Sequence, residues 1–189
     1  MDDLINFMLL GQLNNKEGVN TLIYIYNDFG GTHSTALAAA YHLKLLSKHQ
    51  KLTKEDVLNV PFFNKLTPDE KGIFFFHGYD EEHNAVYSVG RHSSKIAVKS
   101  LVNLCKLFNE SYQLDQKIIF TNTSPTVPFP MTIGGFFSRV LKFDFIGVPL
   151  LIWGAKISYK DVVNLVDNTK QEAMNSNEKV IKLDNIQYK

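Results

Sequence analysis

The chain predicts an α/β domain: a three-layer sandwich around a mainly parallel, mixed sheet, opening on a P-loop-like or Rossmann-like strand–loop–helix unit. Three observations carry this expectation. Residues 21–46 read as a strand (TLIYIY), a glycine-containing turn (NDFGGTHS) and an alanine-rich helix. Short apolar runs then alternate with amphipathic stretches, the pattern of strands and helices in alternating order. The connections between them are short and carry Gly, Pro, Asn and Ser, the residues of turns.

In chain order, residues 1–20 form an N-terminal arm, residues 21–170 a single α/β domain, and residues 171–189 a polar C-terminal tail that adds an edge strand or stays loose. The first strand is Thr21–Tyr26. The helix after the turn runs from Thr35 to Leu46, its Ala36, Ala38, Ala39 and Ala40 allowing close approach to a sheet. Thr53–Asp56 is a capping box opening a short helix that ends near Pro61, and Thr67–Glu70 is a second start signal with proline at the first helical position. Residues 73–78 (IFFFHG) and 85–90 (AVYSVG) read as a β-hairpin around the polar turn 79–84. A helix follows over Ser94–Phe108, then a strand at 117–121 and a stiff loop containing Pro125, Pro128 and Pro130. A helix over Thr132–Leu141, a buried strand near Pro149–Trp153 and a helix from Ser158 to Lys170 complete the domain. Residues 171–179 (QEAMNSNEK) read as mobile.

Composition excludes several classes. A net charge of +1 gives no basic surface for nucleic acid. The apolar run 145–155 is about half the ~20 residues of a spanning helix and holds Gly147 and Pro149, so no membrane segment is expected. Asp2 and Asp3 at the N-terminus argue against a secretory signal, which makes the cytoplasm the expected compartment. The single Cys105 excludes an internal disulfide and a cysteine-based zinc site; its helical spacing with Val98, Leu101 and Val102 predicts a buried core thiol.

Chemistry converges on the first turn. A strand running through glycines into a helix turns free N–H groups toward one point, which suits an anion. The turn fails as a Walker A loop: aligned on Ser34, only the serine matches, and His33 stands where lysine is required. An imidazole there titrates near ~6.5 before the helix terminus lowers it, so a neutral group is expected, suited to hydrogen bonding, base or nucleophile chemistry. The pattern Gly-x-His-Ser-(Ser/Thr) recurs at Gly90–Ser94, again between strand and helix. Of 20 basic residues only Arg91 and Arg139 are arginine, each near glycines, and a guanidinium fork suits carboxylate or phosphate.

The expected catalytic residues are therefore His33 and His92. The expected anion-binding set is Gly30, Gly31, Thr32, Ser34, Arg91, Ser93, Asn122 and Arg139, with a small phosphorylated molecule or nucleotide as partner. Paired Gly134 and Gly135 inside a helical pattern signal a close backbone approach, by a neighbouring element or a ligand; Arg139 reaches the same cleft or pairs with Asp144. His77, Asp80 and His83 form no tight metal-binding spacing, so no metal site is assigned, and no cofactor is signalled. Three readings follow: a phosphoryl-transfer or phosphoester-hydrolysing enzyme, a non-catalytic ligand-binding or regulatory module, and a metal-dependent hydrolase.

The segments YIYNDFGGTHST, FFFHGYDEE, VYSVGR, IGGFFSR and IWG, in this order, resemble the bacterial family called domain of unknown function 3189 over about residues 21–170. The resemblance implies a small cytosolic protein with no assigned activity, cofactor or catalytic residue. No functional residue carries over from it.

Overall fold

The computed structural model describes residues 22–66, 70, 72–113 and 116–188; the arm at 1–20 and most of the start signal at Thr67–Glu70 lie outside them. Five strands form one sheet in the order β2-β3-β1-β4-β5. They are β1 (Leu22–Asp28), β2 (Phe74–Tyr79), β3 (Ala85–Gly90), β4 (Lys117–Asn122) and β5 (Val180–Leu183). β1 runs parallel to β3 and β4, β4 runs parallel to β5, and β2 closes the far edge antiparallel to β3, as the hairpin pattern requires.

Strand periodicity divides the core. Tyr24, Tyr26, Val86, Ile119 and Ile181 face one side, where α1 (Ser34–His42), α2 (Lys54–Asn59), α4 (Phe129–Arg139) and α5 (Asp144–Asn175) pack. Ile23, Ile25, Tyr87, Ile118 and Phe120 face the other side, covered by α3 (Ala97–Ser111). This is the expected three-layer arrangement. The alanines of α1 are all buried, which lets that helix lie close to the sheet with α5 behind it. Thr53 and Asp56 form the expected capping box, with Asp56 N–H on Thr53 Oγ1 at 3.1 Å and Thr53 N–H on Asp56 Oδ2 at 2.7 Å. Cys105 is buried among the α3-side residues, and burial pushes its thiol up to about 12.

Three expectations are corrected. The strand expected near Pro149–Trp153 is the second and third turns of α5, a helix of 32 residues. Gly147, Leu151 and Gly154 follow the spacing i, i+4, i+7 of one buried helical face, while Phe145, Trp153 and Ile157 are exposed. A Cβ on Gly147 would stand 2.6 Å from Ser138 N, and one on Gly154 2.7 Å from Met131 Cβ, so the two glycines let α4 and α5 cross almost backbone to backbone. Ser158 starts no helix; it lies inside α5 with its hydroxyl on Ala155 O at 3.5 Å. The stretch at 171–175 continues α5, and residues 180–183 form the edge strand β5.

A smaller difference has functional weight. β1 extends to Asp28, two residues beyond the expected end at Tyr26. Asn27 and Asp28 are therefore strand residues, and successive strand side chains point to opposite faces. Asn27 follows Ile23 and Ile25 toward α3, while Asp28 follows Tyr24 and Tyr26 toward α1.

Candidate functional site

The turn after β1 is organised by Asp28, a residue the sequence reading passed over. Its buried carboxylate accepts the Gly31 N–H through Oδ1 and the Ser34 hydroxyl through Oδ2 at 2.7 Å. Ser34 Oγ also lies 2.8 Å from Thr123 Oγ1, and Thr123 N–H donates to Asn27 O at 2.8 Å, tying the turn to the end of β4. Ser34 thus serves as an internal strut, and its hydroxyl and the Gly31 N–H are already engaged. Thr32 is also committed: its hydroxyl donates to Phe62 O at 2.7 Å and its carbonyl accepts Asn64 N–H at 3.2 Å. What stays open is the start of α1. His33 is the N-cap residue and gives no side-chain cap, and the N–H groups of Ser34 and Thr35 find no acceptor among the described residues.

His33 packs between the 60–65 loop and α4. Its Nε2 lies 3.2 Å from Asn64 Oδ1, and its ring meets Phe63 edge-on at 5.4 Å. Asn64 Nδ2 donates to Ser138 Oγ at 2.9 Å, and the Ser138 hydroxyl in turn approaches Asp144. This chain fixes the amide with Oδ1 toward His33, so the imidazole carries its proton on Nε2 and leaves Nδ1 as an acceptor. Burial lowers the His33 pKa to about 4; the hydrogen bond to Asn64 and the charge of Asp28 oppose the shift, and Arg139 adds to it. The neutral imidazole expected from the sequence is the form present at pH 7.

The glycine pair in α4 has two separate causes. A Cβ on Gly134 would stand 2.8 Å from Gly147 O and from Leu151 N, so this glycine serves the crossing with α5. A Cβ on Gly135 would stand 3.3 Å from His33 Cε1, so this one makes room for the imidazole. Arg139 lies one turn further along the same face of α4. It makes no ion pair with Asp144, and among the described residues its buried Nε and Nη2 have no hydrogen-bond partner. Burial lowers its pKa, against the attraction of Asp144 and Glu70.

The second Gly-x-His-Ser turn lies against the first. A Cβ on Gly31, whose φ is 74°, would stand 2.5 Å from Gly90 N, and one on Gly90 would stand 2.7 Å from Gly30 O. Both glycines are needed for this contact of two backbones. Arg91 N–H donates to Asp28 O at 2.8 Å and His92 N–H to Phe29 O at 2.9 Å, carrying the parallel ladder past the strand ends. The two histidines then diverge. His92 is exposed, meets Phe29 at 4.7 Å with the rings tilted by 34°, and contacts Ser93 Oγ at 3.0 Å. Arg91 reaches across the end of β1 to Ser124 Oγ at 3.1 Å, on the α3 side, beside Asn122. Among the sequence-selected residues, His33 and Arg139 come together, and Arg91 and Asn122 come together.

Of the residues weighed for a metal, His77 and Asp80 have other duties, and His83 is exposed on the turn. His77 Nε2 lies 2.8 Å from Ser88 Oγ with its ring on Phe62. Asp80 accepts N–H groups from Glu82 and Asn84 and faces His42 Nε2 at 3.1 Å, while His42 Nδ1 meets Tyr26 OH at 2.6 Å. No group of three His, Cys, Asp or Glu able to hold a metal occurs among the described residues. No helix among them is long and apolar enough to cross a membrane.

Asn64 and Ser138, like Asp28, escaped the sequence reading. Asp28 carried one signal, an acid at the end of a strongly apolar strand. Asn64 and Ser138 carried none, because their roles depend on the loop and helix that bring them to His33.

A family model described as "Protein of unknown function (DUF3189)" matches residues 23–171, and the chain belongs to that family. Comparison with curated proteins and with solved structures finds no match.

Proposed function

We propose that this member of the DUF3189 family binds a small phosphate-type anion, free or as part of a nucleotide, between the start of α1 and the His33–Arg139 face of α4. One observation carries the reading: Arg139 Nε and Nη2 are buried and have no hydrogen-bond partner among the described residues. These two donors form one edge of the guanidinium, a parallel pair suited to two oxygens of a phosphate or carboxylate. Leaving them unpaired in a protein interior is costly, and an anionic ligand removes that cost. The open N–H groups at the start of α1 add partial positive charge on the His33 side.

In this reading Arg139 supplies the fixed charge that neutral His33 lacks. His33 Nδ1 accepts a hydrogen bond or a proton from a ligand hydroxyl or water, while Asn64 holds the opposite nitrogen. That is the role of a general base in phosphoester chemistry. A non-catalytic binding role is the second reading, favoured by the His33 pKa of about 4, which makes the imidazole a weak general base at pH 7. The metal-dependent route has no donor cluster among the described residues.

Thermal unfolding with phosphate, sulfate, AMP, ADP and sugar phosphates at low ionic strength tests binding. Stabilisation by at least one of these, lost in Arg139→Gln, is the expected result. No shift with any of them ends the proposal, and release of phosphate or alcohol from a bound ester separates the enzyme from the binding module.

A further inference from the structure

On the other side of the sheet, at the same carboxyl ends of the strands, lies a cleft of about 190 Å³. Its polar wall comes from Asn27, Arg91, Ser94, Lys95, Asn122, Lys182 and Asp184. Crevices at strand carboxyl ends are where open α/β sheets take ligands.

Asn27 marks this cleft as a site. The residue is 1 % exposed, yet its buried Nδ2 has no hydrogen-bond partner among the described residues. Its strand position turns it toward α3 and into the cleft, away from Asp28 and His33. An amide donor without an acceptor in such a place is a rare and costly arrangement. The surrounding charge is positive. Lys182 is neutralised by Asp184 at 2.7 Å, but Arg91 and Lys95 have no carboxylate partner among the described residues. Arg91 is held in place by Ser124 Oγ at 3.1 Å and His92 O at 3.4 Å. α3 directs its N-terminus here: Ser94 Oγ accepts Ala97 N–H at 3.1 Å, while the N–H groups of Val98 and Lys99 find no acceptor among the described residues.

We infer that this cleft is a second anion site, separate from the His33–Arg139 groove, which binds a small phosphate- or carboxylate-bearing metabolite through Arg91, Lys95 and the Asn27 amide. Its volume is below the roughly 300–1,000 Å³ of pockets for drug-sized ligands, which fits a compact anion rather than a whole dinucleotide. Arg91 and Lys95 supply charge, and Asn27 demands an acceptor oxygen at a fixed depth. That demand discriminates against anions too bulky to enter.

Amide NMR of the full ¹⁵N-labelled chain, titrated separately with inorganic phosphate, AMP and succinate, tests this. The expected result is a saturable shift of the Asn27 side-chain NH₂ and of the amides of residues 94–98 and 182–184 with at least one probe. Arg91→Gln and Lys95→Gln each weaken that binding about tenfold or more, while Arg139→Gln leaves it unchanged. The choice among the three probes separates phosphate from carboxylate recognition. Absence of an Asn27 side-chain shift with all three overturns the site, as does retained affinity in Arg91→Gln. Shifts that Arg139→Gln abolishes assign the ligand to the His33 groove and also overturn it.

Discussion

Asn27 and Asp28 are adjacent in the chain and serve opposite sides of the sheet. Asp28 turns toward α1 and binds Gly31 N–H and the Ser34 hydroxyl, while Asn27 turns toward α3 with a buried amide nitrogen that has no partner among the described residues. A single strand end thereby braces the turn before α1 on one side and lines the cleft beside α3 on the other. The groups that the sequence joins in one pocket, His33 and Arg91, are divided between them.

Removing the Asp28 carboxylate releases the turn. Asp28→Asn keeps the size of the side chain but places an amide where one oxygen accepts the Gly31 N–H and the other the Ser34 hydroxyl. A loss of about 1–3 kcal/mol is expected for leaving one of these buried groups unsatisfied. Urea unfolding of both proteins measures it; equal midpoints and slopes contradict the role given to Asp28.

The two glycines of α4 have distinguishable roles. Gly134→Ala drives a Cβ into Gly147 O and Leu151 N, both at 2.8 Å, and separates α4 from α5. A loss of about 1–3 kcal/mol is expected from such overpacking. Gly135→Ala meets only the edge of His33 at 3.3 Å. Its helix-propensity gain of about 1 kcal/mol offsets much of the strain, so the melting temperature stays near wild type while the response to phosphate weakens. Comparable destabilisation by both changes speaks against this division.

Arg139 carries a stability cost in the unliganded protein. Arg139→Met keeps the aliphatic stem and removes the unpaired buried donors, so the ligand-free melting temperature is expected to hold or rise. Stabilisation by phosphate is lost. Arg139→Lys retains charge without the two-donor edge and regains only part of that stabilisation. A sharp fall in ligand-free stability for Arg139→Met points instead to an internal role for the guanidinium.

Acid sensitivity has a defined direction. Burial lowers the pKa values of His33 and His77 to about 4 and lowers that of His42. The unfolded chain takes up these protons near ~6.5, before the folded one does. The associated stability is fully present above that value and is lost as pH falls toward 4. Melting temperature is expected to decline between pH 6.5 and 4, and His33→Gln flattens part of the decline. A melting temperature independent of pH over this window refutes neutral burial of these rings.

Legibility followed the range of the interactions. The alternation of strands and helices, the β2–β3 hairpin, the Thr53–Asp56 capping box and the buried Cys105 all rest on local spacing, and local spacing shows them correctly. The apolar run around Pro149 misled because a short buried strand and a buried helical face present the same composition. The spacing of Gly147, Leu151 and Gly154 was the signal for the helix, and it acquires meaning only beside the partner glycine Gly134.

By itself, then, the sequence determined the α/β class, the strand–turn–helix opening and the neutral character of His33, and it showed that the Gly-x-His-Ser turn recurs; the contact of the two turns through Gly31 and Gly90 belongs to the tertiary structure. Tertiary structure alone decided which charged group joins which histidine. That choice depends on the direction each side chain takes from its strand or helix and on elements distant in sequence: Asn64 and Gly135 seat His33 near Arg139, while Ser124 draws Arg91 to the α3 side. Sequence proximity of Arg91 to a Gly-x-His-Ser motif contains no information about which face of the sheet it serves. The alternation of the extended strand, reaching as far as Asp28, supplies it.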